Sequence, residues 1–181
     1  MGTSTQEAQW VLRAQCDDRE ALEQLLRNVQ PSLRRYLSGL AGTTDADDLL
    51  QDVLILLIRR LSTLANPNLF RPWAFRIASR EAFRSIRKRR LWRGRHDVGA
   101  ELDDFPTSDL RPSGELLQEL MATDTLSPAS RAVLMLHFQE DLPLVEVAAI
   151  LAIPLGTTKS RLAYGLNSIR KHLKDAGGSH G

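Results

Sequence analysis

Cysteine is nearly absent from this sequence, and long apolar runs are absent altogether. Cys16 is the only cysteine among 181 residues, so no internal disulfide can form, as is usual in a reducing compartment. The longest apolar run, residues 53–58, is too short to cross a bilayer and is followed by Arg59 and Arg60. The N-terminal residues lack the basic start and apolar core of a signal peptide. We therefore expect a cytoplasmic protein with no membrane insertion of its own.

Catalytic and cofactor-binding patterns are also missing. The histidines show no metal-ligand spacing with one another or with Cys16. There is no G-x-G-x-x-G dinucleotide motif, no phosphate-binding loop and no G-x-S-x-G nucleophile turn. The acidic residues within 45–52 could hold Mg²⁺ in principle, but no second acidic set complements them. We predict that the protein is not an enzyme and that it binds no metal and no cofactor.

Charge is distributed unevenly along the chain, although the net charge is only +2. Residues 71–95 carry ten Lys or Arg and one acid, whereas residues 96–125 carry one Arg and eight acids. A strongly basic block beside a strongly acidic one predicts two surfaces with different partners. The acidic block also contains Pro, Ser and Gly, which is typical of a linker between domains.

Apolar residues recur at helical spacing through most of the chain. In the first half this spacing predicts helices at residues 4–15, 19–40, 45–64 and 70–95. Pro31 is expected to kink or divide the second of them, because proline cannot donate the helical hydrogen bond. The residues after Gly42, Thr43-Thr44-Asp45, are expected to cap the third helix.

The pattern as a whole predicts an all-α fold of two small helical domains joined by a flexible acidic linker, the C-terminal one a helix-turn-helix. The predicted domains are residues 1–95 and 113–175, with the linker at 96–112 and a flexible tail at 176–181. A short helix at 115–121 is expected to open the second domain.

Residues 126–174 indicate a DNA-binding unit. They are predicted to form three short helices, the last two joined by the tight turn Ala152-Ile153-Pro154. The last helix has an apolar stripe made of Leu162, Leu166, Ile169 and Leu173. Polar and basic residues fall mostly outside that stripe, and a helix, a tight turn and such a second helix can place side chains in a DNA major groove. The alternative is a small helical bundle with a solvated basic face.

The helix predicted at 45–64 begins with acidic residues and is then apolar on nearly every side. Asp45, Asp47 and Asp48 lie in or near its first turn, where they favour the positive end of the helix dipole. A helix in a small domain cannot bury its whole circumference, so part of this surface is predicted to meet another protein. The alternative is a central core helix.

The helix predicted at 70–95 mixes aromatic and cationic residues. Nine cations and one acid, Glu81, lie between residues 76 and 95, and they would repel one another unless a polyanion neutralised them. Aromatic rings among arginines also suit unpaired bases, which stack on flat side chains. This favours a nucleic-acid surface, the alternative being a solvated charged face.

Three motifs, in this order, resemble those of the extracytoplasmic-function sigma factors of bacterial RNA polymerase, a group of the sigma-70 family. Residues 45–53 (DADDLLQDV) resemble the helix that docks on the clamp coiled coil of the largest polymerase subunit. Residues 70–78 (FRPWAFRIA) resemble the segment that melts and reads the −10 promoter element. Residues 126–136 (LSPASRAVLML), 145–148 (VEVA) and 156–162 (GTTKSRL) resemble the domain that reads the −35 element.

The resemblance covers about residues 7–174 and implies a sigma factor that binds core RNA polymerase and directs promoter-specific transcription initiation. The implied partners are core polymerase, through its clamp, promoter DNA and an anti-sigma factor. The implied polymerase contacts are Asp45, Asp47, Asp48, Leu49, Gln51 and Asp52. The implied −10 contacts are Asn66, Asn68, Phe70, Arg76, Arg80, Arg84, Arg87 and Lys88. The implied −35 contacts are Thr157, Lys159, Ser160, Arg161 and Tyr164.

The resemblance also identifies the loop 65–69 as the one that accepts a flipped-out base. The chain departs from the family pattern at Arg80, where Asn is usual, and at Arg84, where Asp is common, so its −10 preference is expected to differ. Gly165 lies in the recognition helix, where it is expected to cost about 1 kcal/mol of helix stability relative to Ala. Residues 164–168 (YGLNS) also replace a run that is typically more basic in the family. We therefore expect −35 affinity either to be weaker or to depend mainly on Arg161 and Lys159.

Two other functions are compatible with the sequence. One is a two-domain transcription factor that binds DNA by itself, and the other is an interaction protein that titrates an anti-sigma partner. The apolar, Asp-rich third helix favours the sigma factor, because a free-standing repressor has no need of such a surface.

Overall fold

The computed structural model describes residues 2–92 and 126–177, which form seven α-helices and no β-strand. They fall into two compact units, one ending at Lys88 and the other beginning at Arg89. The predicted all-α class with two helical units is therefore confirmed. The predicted linker and the helix predicted at 115–121 lie outside the described residues.

The first unit contains four helices joined by short connections. They are α1 (Gly2–Gln15), α2 (Arg19–Ala41), α3 (Thr43–Arg60) and α4 (Phe70–Trp92). Two 3-10 turns, Leu61–Thr63 and Pro67–Leu69, connect α3 to α4. The core takes one apolar stripe from each of the longer helices, including Leu25, Val29, Leu33, Leu50, Val53, Leu57, Phe75 and Ala78. This is the packing expected of helices whose apolar residues recur every three or four positions.

The expected division of α2 and the expected side-chain cap of α3 are wrong. Helix α2 is not divided at Pro31, which lies on its exposed side and leaves one continuous helix from Arg19 to Ala41. Helix α3 has no side-chain cap: Gly42, at φ 87°, ends α2 by donating its N–H to Ser38 and is also the residue before α3. This left-handed backbone suits glycine, so α3 can begin at once with Thr43.

A buried hydrogen-bond chain ties α2 to α4. Ser79 Oγ donates to the Phe75 carbonyl at 2.7 Å, and Tyr36 Oη lies 2.7 Å from Ser79 Oγ. Because the Ser79 proton is used, Tyr36 is the donor in the second bond. The Tyr36 ring meets Phe75 edge-on with 5.4 Å between ring centroids. Burial raises the pKa of Tyr36 far above its usual value, so it stays protonated and can donate at any working pH.

We expect Ser79→Ala to destabilise the first unit more than Tyr36→Phe does. Ser79→Ala leaves the buried Tyr36 hydroxyl without an acceptor, which costs about 1–3 kcal/mol. Tyr36→Phe removes a hydroxyl but leaves Ser79 bonded to Phe75, so the loss is about 0.5–1.5 kcal/mol. Urea unfolding of the two variants measures the difference, and equal losses would contradict the assigned direction of donation.

The second unit contains three helices after an N-terminal cap. They are α5 (Pro128–Leu134), continued by a π-helical turn at Met135–Gln139, then α6 (Leu144–Leu151) and α7 (Leu155–Gly177). Ser127 caps α5 by accepting the Ser130 N–H at 3.2 Å, with Pro128 in the first turn, as the sequence predicts. Helix α7 has 23 residues, so the prediction of a short helix is wrong. It also includes positions 176 and 177, which were predicted to belong to a flexible tail.

The predicted turn between α6 and α7 is confirmed. Ala152 adopts a left-handed conformation (φ 54°, ψ 46°), and the Ala152 and Ile153 N–H groups both donate to the Ala148 carbonyl. Pro154 then stops α6 from continuing, and its carbonyl accepts both the N–H and the hydroxyl of buried Thr158, at 3.0 and 3.1 Å. These bonds fix where α7 begins relative to α6.

Gly165 has a packing role that helix propensity does not reveal. A Cβ atom at this position would lie 2.8 Å from Cδ1 and 3.2 Å from Cγ of Leu134, a fully buried residue of α5. Glycine therefore lets α7 approach α5 closely. The sequence-based expectation considered only the helix stability that glycine loses relative to alanine. In the structure, the close contact with Leu134 makes glycine the better residue at this position.

We expect Gly165→Ala to destabilise the second unit. Overpacking costs about 1–3 kcal/mol, which outweighs the gain in helix propensity of about 1 kcal/mol. Gly156→Ala, in the same helix, is the matched control, because a Cβ there meets nothing within 4 Å and the substitution should be neutral or stabilising. Thermal unfolding of the full chain, monitored by circular dichroism, compares the two variants. A Gly165→Ala variant as stable as the wild type would contradict the packing role of Gly165.

Candidate nucleic-acid interface

The exposed face of α3 is acidic and apolar at once. Asp48, Gln51 and Asp52 are exposed on the side opposite the core, since about 100° of rotation per residue places all three on one face. Ile55 and Ile58 continue this face and remain 40% and 46% exposed. The structure therefore agrees with the expectation that α3 does not bury its whole circumference. The isoleucines are the contact candidates that the motif alone did not include.

Three of the predicted polymerase contacts are less available to a partner than the residues of that face, because they are buried, half-buried or already paired. Leu49 is only 8% exposed and packs in the core. Asp47 is exposed but accepts two hydrogen bonds from Arg34, Nε to Oδ1 at 2.8 Å and Nη2 to Oδ2 at 3.1 Å. The hydrogen bond from Arg34 lowers the pKa of Asp47. Asp45 is half-buried in the first turn. Among the described residues, the predicted contacts that are exposed and form no ion pair are therefore Asp48, Gln51 and Asp52.

A row of cations runs along the exposed side of α4. Arg76, Arg80, Arg84 and Arg87 recur at intervals of three or four residues and are all exposed, with Lys88 beside them. Arg84 also pairs with Glu81 at 3.2 Å, an exposed i, i+3 contact worth little by itself. We call these five residues the cation row. The remaining cations of the basic block that α4 contains, Arg71, Arg89 and Arg90, are half-buried.

The predicted −10 residues at and just before the start of α4 separate into two groups. Asn66 and Asn68 are exposed on the second 3-10 turn, where Asn66 Oδ1 accepts the Asn68 backbone N–H at 3.1 Å and the Asn68 side-chain amide at 3.3 Å. Phe70 is fully buried and lies 6.0 Å, centroid to centroid, from Trp73. Phe70 therefore anchors the start of α4 and presents no surface to a ligand.

Four of the five predicted −35 residues share one face of α7. Thr157, Ser160, Arg161 and Tyr164 lie within an arc of about 100° by helical rotation, and all are partly exposed. Lys159 is exposed but lies on a different side of the helix. Burial lowers the pKa of Arg161, which nevertheless stays charged at neutral pH. Ser160 Oγ donates to the Gly156 carbonyl at 3.1 Å, so its hydroxyl is already engaged.

The same face of α7 continues beyond the predicted residues. Asn167 and Lys171 follow Tyr164 at three and seven residues, which keeps them on this side. Arg170 donates to Asn167 Oδ1 at 2.8 Å and fixes that amide. The signal that could have identified Asn167 and Lys171 was their position opposite the apolar stripe, whose Leu162, Leu166 and Ile169 are buried as predicted.

These observations define a class of protein before any comparison is made. Two helical units, one with a cation row and the other with a helix-turn-helix, form the architecture of a nucleic-acid-binding regulator. Among residues 2–92 and 126–177, no group of three His, Cys, Asp or Glu side chains is placed to hold a metal ion. None of the helices in those ranges is long and apolar enough to cross a membrane.

Comparison with known proteins identifies the family. The family described as Sigma-70 region 2 matches residues 25–91, and the family described as Sigma-70, region 4 matches residues 122–171. The chain is 30% identical over 161 residues to an ECF RNA polymerase sigma factor, SigE, of Mycolicibacterium smegmatis, with 83% of this chain and 61% of that protein covered. It is 26% identical over 151 residues to the ECF sigma factor SigW of Bacillus subtilis, with 75% and 79% covered.

A solved structure resembles the chain as well. It is the sigma factor RpoE in complex with the anti-sigma factor NepR, from Bartonella quintana, with a TM-score of 0.62, 26% identity, and 84% of this chain and 96% of that chain covered. The chain therefore belongs to the sigma-70 family of bacterial RNA polymerase factors, in its extracytoplasmic-function group. Members of this family are transcription initiation factors and not enzymes, in agreement with the prediction from sequence.

Proposed function

We propose that this protein is a sigma factor that binds core RNA polymerase and directs promoter-specific transcription initiation through −10 and −35 recognition. The proposal is supported by the presence of the cation row on one unit and of the helix-turn-helix face on the other. These units match Sigma-70 regions 2 and 4, in the order in which the family has them. The partners act in the cytoplasm, where core polymerase and the chromosome are found, and the proposal places the protein there.

Core polymerase docks on the exposed face of α3. Asp48 and Asp52 supply charge that suits a basic partner, while Ile55 and Ile58 supply apolar area that is released from water on docking. Leu49 supports this face from the core. Asp47 keeps its ion pair with Arg34 and contributes less than its neighbours.

The first unit holds the −10 element. The cation row neutralises phosphates along the strand, and Asn66 and Asn68 offer amide groups to the edge of an unpaired base. Arg80 and Arg84, which stand where the family usually has shorter residues, belong to this row. Phosphate contacts carry no sequence information, so as phosphate contacts the two arginines raise affinity. The expected difference in −10 preference comes from the absence of the usual Asn and Asp.

The second unit holds the −35 element with α7 in the major groove. Arg161 and Tyr164 are the candidates for base or phosphate contact, with Thr157, Asn167 and Lys171 on the same face. Lys159 lies off this face and contacts the backbone at most. The close packing at Gly165 positions α7 without touching DNA.

An anti-sigma factor is proposed as a further partner. The support is that the similar sigma factor of Bartonella quintana was solved in complex with one. Because α3 must be exposed to reach polymerase, an anti-sigma factor that covers Ile55 and Ile58 would block docking by simple competition.

The decisive experiment adds the purified protein to core polymerase on fragmented genomic DNA and sequences the transcripts. A sigma factor starts transcripts at a shared pair of elements and is retained by core enzyme in a pull-down. A protein that binds duplex DNA but not core polymerase is instead a free-standing transcription factor. A protein that binds core polymerase or an anti-sigma factor, yet starts no transcript, is a decoy.

A further inference from the structure

We infer that helix α1 acts as a brace, meaning that its side chains hold the base-reading segment (residues 61–69) in one conformation. We infer further that Gln15 is a positioning residue for base specificity at the −10 element. This inference rests on the proposed function. The segment between α3 and α4, residues 61–69, consists of two short 3-10 turns and therefore has little regular structure to hold its shape.

Gln15, at the end of α1, fixes the first part of that segment. Its Nε2 amide donates to the Leu61 and Leu64 carbonyls, at 2.9 Å each. These two residues bound the first 3-10 turn, since Leu61 begins it and Leu64, which is already extended, follows it. One side chain thus supplies a partner to the Leu64 carbonyl and a second donor to the Leu61 carbonyl, which also accepts the Leu64 N–H, across 49 and 46 residues of sequence.

Glu7, near the start of α1, fixes the other end. Arg71, two residues after the segment, donates from Nε to Glu7 Oε1 at 3.1 Å and from Nη2 to Asn28 Oδ1 of α2 at 2.9 Å. Glu7 is buried, and its desolvation raises its pKa, with Arg71 opposing the shift. A buried carboxylate held by an arginine is a rigid contact, because breaking it leaves a charge without a partner.

The two fixed points hold a short exposed loop between them. Asn66 and Asn68 lie on it, and in the described part of the chain neither Asn66 Nδ2 nor Asn68 Oδ1 makes an intramolecular hydrogen bond. One donor and one acceptor therefore face solvent, a pair that can match the edge of a base. Discrimination requires that the pair keep its spacing. Among the described residues, the first turn has the Thr63 hydroxyl bonded to the Arg60 carbonyl, and only α1 supplies side-chain hydrogen bonds to this part of the segment from another helix.

Hydrogen exchange of the free full-length protein tests the brace itself. The Leu64 and Leu69 amides donate within the segment, to Leu61 and Asn66. We expect Gln15→Ala to accelerate exchange over residues 61–69 about fivefold or more, from the loss of two hydrogen bonds, and to leave α2 and α3 unchanged. Gln15→Glu, whose carboxylate repels both carbonyls, should act at least as strongly. Gln9→Ala, an exposed glutamine of the same helix, is the matched control. Unchanged exchange in both Gln15 variants would overturn the brace.

Transcription with core polymerase tests the positioning role. The template is a promoter library randomised over the −10 element, with transcripts counted by sequencing. We expect Gln15→Ala to reduce base preference about fivefold at one or two −10 positions, with −35 preference and retention by core polymerase unchanged. A purely structural defect would instead lower all transcription evenly.

The outcomes separate the two proposals. Faster exchange with intact base preference would overturn the specificity role and leave a brace without function in recognition. Wild-type protein that starts no transcript from the library would overturn the proposed function and the specificity role with it, while the exchange data would still decide whether α1 holds the segment.

Discussion

Replacing Asp48 and Asp52 together with arginine is expected to abolish binding to core RNA polymerase. Both carboxylates are exposed on the outer face of α3, and neither forms an ion pair within residues 2–92 or 126–177. Their charge is therefore available to a basic partner. Reversing two charges at an interface turns attraction into repulsion and desolvates like charges together, so we expect a loss of about 3–5 kcal/mol, or a hundredfold to several thousandfold in Kd.

The double reversal should leave the fold intact. Positions 48 and 52 lie beyond the first turn of α3, so the helix dipole is little affected, and arginine is a better helix former than aspartate. Glu20→Arg with Glu23→Arg is the matched control, since it makes the same charge change at exposed positions of α2. Fluorescence anisotropy of the labelled protein titrated with core enzyme gives the Kd values. Wild-type affinity in the α3 variant would show that this face is not the docking surface.

Neutralising part of the cation row is expected to weaken promoter binding and to flatten its salt dependence. Arg80, Arg87 and Lys88 are exposed on α4 and replaced together by alanine. Each phosphate contact contributes about 0.9 to the slope of log K against log salt on duplex DNA and about 0.7 on single strands. Loss of three contacts should therefore reduce the slope by about 2–3 and the affinity at physiological salt by about tenfold or more.

The control removes the same charge from another surface. Arg19, Arg27 and Arg60 are exposed on α2 and α3, away from the docking face, and their triple alanine variant carries the same net charge as the α4 variant. Holoenzyme binding to labelled promoter DNA is measured at several salt concentrations for both. Equal slopes of log K against log salt for the two variants would mean that α4 acts through net charge alone. A slope unchanged from the wild type in the α4 variant would show that the cation row does not contact DNA.

Sequence reasoning located most of the helices because the signals are local. Apolar spacing predicted α1, α2, α4 and the two helices of the helix-turn-helix within a few residues, and Ser127-Pro128 predicted the start of α5. Predictions from local sequence failed at two positions, where one preference of a residue was outweighed by another feature of the helix. Pro31 did not divide α2, because its missing N–H lies on the exposed side of the helix. Gly42 took the place of the expected threonine and aspartate cap because its left-handed backbone already ended α2.

The candidate surfaces were predicted residue by residue, but some of the named residues are buried or lie on another side of their helix. Leu49 and Phe70 belong to the docking and −10 motifs, yet both are buried. An apolar residue in a motif looks the same whether it contacts a partner or the core, and only packing separates the two. Lys159 stands in the −35 motif but faces away from Arg161, a distinction that depends on where α7 begins.

The sequence alone determined the all-α class, the order of the family motifs and the concentration of positive charge in α4, because helical periodicity and charge are carried by residues close together in the chain. Only the tertiary structure decided which residues can meet a partner. The Arg34–Asp47 pair, the contact of Gly165 with Leu134 and the bonds from Gln15 to Leu61 and Leu64 all join distant parts of the sequence. Such contacts depend on how helices pack against one another, and no local pattern encodes them.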